Sequence, residues 1–528
     1  MKKAMIKIFS GLMVALILLT GCVTKNNDNK KATSASTGNE VSVQQKPVKI
    51  MYPESRESNR EDIDKVKKYI EEKSGVKFEA KILKTPHFIE QVNMSLASGE
   101  DIDMISVANN ASLFTTLLER NALQKINDPI AKYGRNLTKM MSRDAWMANS
   151  DKAGDIYGIP AITSIVGDLI AIRKDWREKL KMEPITTLAE LEEYLRDVKD
   201  GDLDGNGLKD TIPLTSYNIY EELDLTLLQI FTDTNAAVTM SSGVASYIDS
   251  NGKITPVVMH PKYKDYLRTL ANWNKEGLLH SELSIVKSAQ IDDLVMNNRI
   301  GAIATWYSNW VRPTEKLIAK VPEADYEYIT PKTLSGKDYR LQTGSLARPG
   351  LVVVSYSKNA EFAVKLIDWQ MASRENYWTT KQGIEGEHWK WINKDKGEVE
   401  KLKGKEKPET SYNYQFSFLF YPDWNARNAN PGYVDKKYYD TMDWYIKYNS
   451  FVSPPDSFVN YKWKGTAIES SLQDGLKLIQ ENTAEIILGD KPIDEWDKVV
   501  EQYRKMFGDK FIELATQQYN EYKIRIKG

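Results

Sequence analysis

The chain has 528 residues, with 72 basic and 73 acidic side chains, a formal net charge of −1 and a single cysteine. This balance argues against nucleic acid as a partner, because nucleic-acid binding needs a concentrated basic surface. One cysteine excludes internal disulfides and thiolate metal sites, so stability has to come from core burial. The length predicts two or three domains rather than a single core.

The N-terminus has the pattern of an export signal. Basic residues precede an apolar run from Ile8 to Leu19, and a glycine then precedes Cys22. The run is shorter than the about 20 residues that a membrane-spanning helix needs, which favours a cleaved signal over an anchor. We therefore predict a signal peptide over 1–21. The polar segment over 22–45 has few large apolar residues, which predicts a flexible tether.

The sequence Leu19-Thr20-Gly21-Cys22 resembles the bacterial lipobox, in which the cysteine thiol is lipidated and becomes the first residue of the mature chain. The resemblance implies that lipid on Cys22 holds the protein in the bilayer, on the extracytoplasmic face of the bacterial cell membrane. One acyl chain alone binds marginally, whereas several bind firmly. The alternative is an ordinary signal with an incidental cysteine.

The first folded segment reads as alternating strands and helices. Val48–Tyr52 predicts a strand, and Asn59 caps a helix that ends at Gly75. Val76–Ala80 alternates apolar and charged residues, as a half-buried strand does, and Asp103–Val107 is a further short apolar strand. This order predicts an α/β fold with a mainly parallel sheet, whose ligands bind beyond the carboxyl ends of the strands.

Asn109 and Asn110 follow the third strand, at such a carboxyl end. We therefore expect their side chains to bind ligand hydroxyls. Farther along, Gly167–Arg173 predicts a strand, Thr187–Glu190 forms a capping box at the start of a helix, and Leu351–Val354 predicts a buried strand. The last 60 or so residues have a mostly helical pattern.

The sharpest local motif is an acidic, glycine-containing loop that begins at Asp202. Oxygen donors at loop positions 1, 3, 5, 7 and 9, with glycine at position 6, match the first nine positions of an EF-hand loop. The predicted Ca²⁺ ligands are the side chains of Asp202, Asp204, Asn206 and Asp210 and the carbonyl of Leu208. Pro213 stands at position 12, where a bidentate Glu is usual, so Thr211 or water would complete the shell. The alternative is a surface turn without metal.

Aromatic side chains are concentrated between Tyr412 and Trp463, where they make up 17 of 52 residues, against 10% for the whole chain. Sugars are held by flat apolar rings and by polar groups at their edges, so some of these rings are candidates for ligand contact. Others must pack in the core. Trp424 lies in a polar segment, and Arg427 nearby could pair with a sugar hydroxyl or carboxylate.

Six segments in this order resemble the extracellular solute-binding proteins, family 1, of ABC importers, and above all their large oligosaccharide-binding lipoproteins. Together they span nearly the whole mature chain. The segments are the lipobox, Leu96–Gly99 with Asp103–Ile105, Tyr157–Pro160, Arg173–Trp176 with Pro184 and Thr186–Leu191, Gly383–Trp389, and Ile486–Gly489 with Asp494–Trp496.

The resemblance implies two α/β lobes of the periplasmic-binding-protein type, joined by three hinge crossings, with the ligand between them. The expected first lobe comprises 46–163 and 307–358, and the expected second lobe comprises 164–306 and 359–528. The expected hinges lie near Ile162–Ile165, Ala304–Tyr307 and Ser357–Ala360.

The resemblance also adds candidate ligand contacts. Trp306, Tyr307 and Trp310 follow an apolar strand at one expected hinge, so large rings there would face the cleft. Trp389 belongs to one of the matching segments. Packing in the core is the alternative for each ring. A calcium loop similar to the one at Asp202 occurs in alginate-binding relatives, where the ion is structural.

The implied function is binding rather than catalysis. A monomeric, lipid-anchored receptor would capture an extracellular oligosaccharide and deliver it to the permease subunits of an ABC importer. No GxSxG, Walker A or GxGxxG motif is present, and the four histidines have no metal-site spacing. Two alternatives stay open: a secreted carbohydrate-active enzyme with a carboxylate pair, and a ligand-sensing or peptide-binding surface lipoprotein.

Overall fold

The structure is a computed structural model of the chain. It describes residues 46–527 apart from 54–57, 85–86, 109, 152, 163–166, 219–221, 234–236, 239–242, 343–346, 422–423, 449–450, 453–460 and 464. The predicted signal peptide, Cys22 and the tether therefore lie outside the described residues. So do Asn109 and most of the expected hinge at Ile162–Ile165.

The described strands are spread along the chain. They are β1 (Val48–Pro53), β2 (Phe78–Leu83), β3 (Met104–Ser106), β4 (Gly158–Ile162), β5 (Asp168–Arg173), β6 (Ile212–Ser216), β7 (Ala237–Val238), β8 (Ala245–Ile248), β9 (Ile254–Pro256), β10 (Ile300–Trp306), β11 (Tyr326–Ile329), β12 (Leu341–Gln342), β13 (Ala347–Val353), β14 (Trp389–Asn393), β15 (Glu398–Lys401), β16 (Arg427–Asn428) and β17 (Phe451–Val452).

Helices occupy most of the segments between the strands and most of the C-terminal region. They are α1 (Arg60–Ser74), α2 (Phe88–Ala97), α3 (Ala111–Glu119), α4 (Asn127–Tyr133), α5 (Arg135–Met140), α6 (Arg143–Ala148), α7 (Lys174–Lys179), α8 (Leu188–Asp200), α9 (Asp224–Thr232), α10 (Tyr263–Glu276), α11 (Ser288–Met296), α12 (Val311–Ile318), α13 (Ala360–Gln370), α14 (Arg374–Gln382), α15 (Tyr433–Tyr448), α16 (Leu472–Leu488), α17 (Trp496–Tyr503) and α18 (Asp509–Lys527).

Local sequence signals place several of these elements where they were predicted. The Asn59 side chain accepts a hydrogen bond from the backbone N–H of Asp62, and α1 ends at Gly75, whose φ of 65° is left-handed. Thr187 and Glu190 form the expected capping box of α8. No helix in the described part of the chain has the length and apolar character needed to cross a membrane.

One large sheet has five strands in the order β2-β1-β3-β13-β4. β1 is parallel to β2 and to β3, as predicted, whereas β13 is antiparallel to both β3 and β4. Both faces are covered, since Ile50 packs in one buried cluster and its neighbour Met51 packs in another. Burial on both faces explains why β1 reads as an almost continuous apolar run.

The other large sheet has four strands in the order β11-β5-β10-β6. β10 is parallel to β6 and antiparallel to β5, and β11 is antiparallel to β5. Its core is a separate buried cluster that includes Ile170, Leu195, Trp273 and Phe507. Smaller sheets, β7-β8-β9, β14-β15-β16 and β12-β17, lie outside the two large ones.

The elements group around the two sheets differently from the expected lobe boundaries. β11 lies in the expected first lobe at 307–358, but it pairs with the free edge of β5 in the four-stranded sheet. α13 lies in the expected second lobe at 359–528, but its apolar residues Val364 and Ile367 pack in the core of the five-stranded sheet. Strand pairing and apolar burial thus move both elements across the expected boundaries.

Candidate ligand-binding site

The mutually parallel strands of each large sheet end at one shared edge. β4 runs antiparallel to β13, so its last residue, Ile162, lies beside Ala347 at the edge where β1, β2 and β3 also end. In the four-stranded sheet, β10 ends at Trp306, opposite Asp168 of β5. The connection from Ile162 to Asp168 spans at most about 20 Å when extended. The two edges therefore lie near each other, beyond the carboxyl ends of strands, where ligands of α/β sheets bind.

Trp306 and Tyr307 occupy the end of β10. Both are half-buried, and their ring centroids lie 5.4 Å apart. Tyr307 also packs edge-to-face against Tyr438 at 6.1 Å. Burial raises the pKa of Tyr307 to about 12, so its hydroxyl remains a hydrogen-bond donor at neutral pH. The partly exposed indole of Trp306 offers the flat apolar surface that a pyranose ring needs.

A network of polar side chains lies at the same strand end, around Thr305 of β10. The Thr305 hydroxyl donates to Glu222 Oε2 at 3.0 Å, and the Asn309 amide donates to Glu222 Oε1 at 3.1 Å. The same amide lies 3.0 Å from the Thr305 hydroxyl oxygen. Glu222 is thereby held in one orientation at the strand-end edge. A fixed carboxylate at this strand end can accept hydrogen bonds from sugar hydroxyls.

A second polar pair extends this edge along β6. The Tyr217 hydroxyl donates to Asp292 Oδ1 at 2.6 Å, and burial, with Asp292 beside it, raises the pKa of Tyr217 well above its usual value. The sequence analysis missed both Glu222 and Asp292. Glu222 and Thr305 are far apart in the chain, so the sequence gives no sign that they meet. The one indication of this edge in the sequence is that polar residues follow β6 and β10.

Trp310 lies in the core rather than at this edge. None of its side chain is exposed, and its ring packs against Tyr326 at 5.1 Å and Tyr328 at 5.8 Å. Trp310 directly precedes the first turn of α12, where the chain turns back and its ring packs on β11. A fully buried ring cannot contact a ligand in this conformation, so Trp310 leaves the set of candidate contacts.

Trp389 is buried in the same way. Its exposed fraction is 0%, its indole N–H donates to the Gly383 carbonyl at 2.7 Å, and its ring packs edge-to-face against Trp378 and Trp391. Both faces of this ring are therefore taken up by the small cluster around β14. The structure assigns it a packing role instead of the expected ligand contact.

Trp424 and Arg427 both have close partners within the chain. Trp424 is half-buried against Tyr421 at 5.5 Å and Tyr377 at 6.1 Å. The Arg427 guanidinium forms a two-pronged ion pair with Asp443, at 2.6 and 2.8 Å. The hydrogen bond to Asp443 raises the pKa of Arg427 by more than partial burial lowers it. A sugar carboxylate would therefore have to compete with Asp443 for Arg427.

Asn110 acts as a helix cap. Its side-chain oxygen accepts a hydrogen bond from the backbone N–H of Leu113 at 2.8 Å, at the start of α3. Its amide nitrogen is not used by that cap and remains a possible donor to a ligand hydroxyl. Asn110 does follow β3 at the strand-end edge, as the sequence predicted.

Part of the aromatic segment also reaches this edge. The backbone N–H of Ile162 donates to the Phe420 carbonyl at 3.3 Å, which places the segment beside the end of β4. Phe420 is 37% exposed, whereas Phe416 and Phe418 are buried in the core. Across the connection, the Tyr445 hydroxyl accepts from the Gly167 N–H and donates to the Gly167 carbonyl, at 3.0 and 2.9 Å.

The acidic loop is compact and lies on the surface. The carboxylate of Asp202 accepts from the Gly207 N–H at 3.0 Å, and the Asn206 amide bridges Asp204 Oδ2 at 2.9 Å and Asp210 Oδ1 at 3.0 Å. Gly207, at loop position 6, has a left-handed φ of 82°. The predicted side-chain donors therefore converge on one small region, and their oxygens are the ligand type that calcium prefers.

Other features of the loop differ from a closed calcium site. The Arg299 guanidinium lies 2.9 Å from Asp210 Oδ2, and the buried Thr211 hydroxyl donates to the Val198 carbonyl at 2.6 Å. In this conformation, the described residues contain no group of three or more His, Cys, Asp or Glu side chains arranged for a metal ion. The donor set fits calcium in kind, while Thr211 is engaged away from the loop.

Comparison with known proteins places the chain in a family. A family model described as bacterial extracellular solute-binding protein matches residues 65–383, which is more than half of the chain. The chain belongs to the bacterial extracellular solute-binding proteins. This membership supports the resemblance inferred from the sequence and an extracytoplasmic place of action.

Two curated relatives of this solute-binding protein are similar at low identity. Lipoprotein LipO of Bacillus subtilis is 24% identical over 306 residues, which cover 57% of each chain. The fructooligosaccharide ABC transporter substrate-binding protein FusA of Streptococcus pneumoniae is 24% identical over 393 residues, which cover 70% of each chain. The chain thus matches little more than half the length of LipO.

Solved structures show that the fold is that of the two-lobe solute-binding proteins. A solute-binding protein of Bifidobacterium longum infantis, described as binding HMO, superposes with a TM-score of 0.73 at 17% identity, over 91% of this chain and 99% of that one. The alginate-binding protein AlgQ2 without calcium ion superposes with a TM-score of 0.67 at 20% identity, over 90% and 99%. An EF-hand mutant of FusA in complex with fructo-nystose gives 0.64 at 18% identity, over 91% and 100%.

Proposed function

We propose that this solute-binding protein captures an oligosaccharide between the strand-end edges of its two large sheets and delivers it, chemically unchanged, to an ABC importer. The observation that carries the proposal is the end of β10. There the half-buried Trp306 offers a flat apolar face, and Thr305 and Asn309 hold the Glu222 carboxylate in place at the same strand end. A ring with polar groups at its edge suits the apolar faces and hydroxyl edges of a sugar.

The names of the relatives support an oligosaccharide in particular. FusA is named as the substrate-binding protein of a fructooligosaccharide ABC transporter, and AlgQ2 is named as an alginate-binding protein. One of these ligands is neutral and the other bears carboxylates, so the names leave the charge of this chain's ligand open.

The two lobes would be built around the two sheets, and ligand binding would shift a balance between open and closed arrangements. The crossing between Ile162 and Asp168 is the first expected hinge. Tyr445 binds both backbone groups of Gly167, next to this crossing, and so anchors its far end to α15. The chain would act as a monomer, held at the membrane by lipid on Cys22.

The proposed calcium site is structural. Asp202, Asp204, Asn206, Leu208 and Asp210 would supply the oxygens, as in the first nine positions of an EF-hand loop. Its support is the convergence of the side chains on Asn206 and the left-handed Gly207. Calcium would add positive charge beside Asp210, which already pairs with Arg299.

A thermal-shift screen of the purified chain over a panel of neutral and acidic oligosaccharides tests the function. We expect one class to raise the melting temperature in proportion to its concentration, because a ligand that binds only the folded state stabilises it. The bound sugar is then recovered and its reducing ends are counted. An unchanged oligosaccharide supports transport, whereas shortened products would identify a carbohydrate-active enzyme instead.

A further inference from the structure

Arg348 is a buried cation at the strand-end edge of the five-stranded sheet. It is the second residue of β13 and pairs in register with Ala161, one residue before β4 ends at Ile162. The residue is only half-exposed, and its Nε has no surface in contact with water. Arg348 therefore belongs to the same edge of the sheet as Asn110 and Phe420.

Among the residues that the structure describes, no hydrogen-bond partner reaches Arg348 Nε, and no carboxylate forms an ion pair with its guanidinium. Burial lowers the pKa of Arg348, and no neighbouring acid offsets that effect. Arginine nevertheless stays protonated at any physiological pH. The described part of the fold thus takes Arg348 partly out of water without placing a carboxylate beside it.

Three other arginines that are buried or half-buried have a carboxylate partner. Arg173 pairs with Asp175 at 2.7 Å, Arg177 pairs with Glu327, and Arg299 pairs with Asp210 at 2.9 Å. The side chains of Arg173 and Arg177 are at most 9% exposed, so each of these buried guanidinium groups has a carboxylate partner. The fold therefore can place an acid beside a buried arginine, and the described residues include none beside Arg348.

A buried charge that lacks a partner costs stability, unless its partner arrives from outside the chain. We infer that Arg348 receives a carboxylate of the carried oligosaccharide, so that the natural ligand is an acidic, uronate-containing sugar. Guanidinium suits this role because it binds a carboxylate through two parallel hydrogen bonds. The inference rests on the proposed function and specifies the ligand class of that same site.

The charges on the opposite edge give the ligand an orientation. Glu222, which follows β6, and Asp292, on α11, accept hydrogen bonds from neutral donors, namely Thr305, Asn309 and Tyr217. Carboxylates there repel an anionic group but accept hydrogen bonds from hydroxyls. A uronate would therefore turn its carboxylate towards Arg348 and its hydroxyl edge towards Glu222.

Calorimetric titration of the purified full chain tests this inference with three probes of equal length. These are oligogalacturonides, the same oligogalacturonides with methyl-esterified carboxylates, and neutral fructooligosaccharides. We expect the free acid to bind at least tenfold more tightly than its ester, because a hydrogen bond to a charged group is stronger than one to a neutral group. Equal affinity for acid and ester, or tight binding of the neutral sugar alone, would overturn the inference while leaving sugar binding intact.

Substitutions assign the effect to one side chain. Arg348→Gln should lose roughly 10- to 100-fold in affinity for the acid and little for the ester. Arg348→Lys should recover part of that loss. Arg312→Gln, which removes an exposed arginine from α12, is the matched control and should change neither affinity.

A stability measurement separates ligand recognition from a structural role. Because no described residue pairs with Arg348, Arg348→Gln should leave the melting temperature of the ligand-free chain unchanged or raise it. A clear drop in the melting temperature, with unchanged discrimination between acid and ester, would mean that Arg348 is structural. If none of the three probes binds, and other oligosaccharides fail as well, the proposed function itself falls.

Discussion

Replacing Trp306 by alanine is the sharpest probe of the proposed sugar site. A tryptophan can bury up to about 250 Å², and Trp306 is already half-buried against Tyr307. If roughly a third of that surface is left for the ligand, its burial contributes about 2 kcal/mol at about 25 cal/mol per Å². Trp306→Ala should therefore weaken oligosaccharide binding by about 30-fold.

The assay is calorimetric titration with the ligand found in the thermal-shift screen, well below the melting temperature of each variant. Trp306→Phe keeps a flat ring and should retain most of the affinity. Trp146→Ala removes a half-buried indole from α6, which lies beside the start of β4 at the opposite edge of the sheet, and should bind the sugar normally. If Trp306→Ala also binds normally, the site does not lie at the end of β10, and the argument from this edge fails.

Three further outcomes follow from the same structure. Chelation by EGTA should lower the melting temperature by a few degrees, and Asp204→Ala should abolish that response; an identical melting curve with and without EGTA would contradict the calcium site. Trp310→Ala should cost about 3–5 kcal/mol in urea unfolding, because its ring is fully buried, with little change in sugar affinity once folded; a large, selective loss of affinity would return this ring to the site. Burial lowers the pKa of His280 and His388, so on acidification these histidines take up protons in the unfolded chain before they do in the folded one. The free energy of unfolding should therefore fall as the pH drops below about 6.5, by at most about 1.4 kcal/mol per pH unit for each histidine. A His388→Gln variant with the same pH dependence would contradict this.

Local structure was predictable because its causes are local. The cap at Asn59, the left-handed end of α1 at Gly75 and the capping box of α8 each depend on residues within one or two turns. The same holds for the strand at Val48, whose apolar run is buried on both faces. The family resemblance supplied the fold class that these short signals alone could not reach.

The composition of the site was less predictable because it depends on contacts between distant parts of the chain. Trp306 and Trp310 look equivalent in sequence, but the turn into α12 leaves one at the strand end and buries the other. Glu222 becomes a site residue only because β6 and β10 lie side by side. Similarly, β11 joins the four-stranded sheet because β5 offers a free edge there.

Arg348 illustrates what sequence reasoning selects and what it passes over. Arg427 attracted attention because aromatic and polar residues surround it in sequence, yet the structure pairs it with Asp443. Arg348 stands in an apolar strand with no such signal, and only the register of β13 with β4 places it at the site. A missing partner is a property of the folded chain, so no sequence pattern reports it.

Small-angle X-ray scattering of the purified chain, with and without its ligand, tests the central claim most directly. If the two lobes close around an oligosaccharide, saturating ligand should reduce the radius of gyration, and Trp306→Ala should need a higher ligand concentration for the same change. An unchanged radius with ligand demonstrably bound would contradict closure of the two lobes around the sugar.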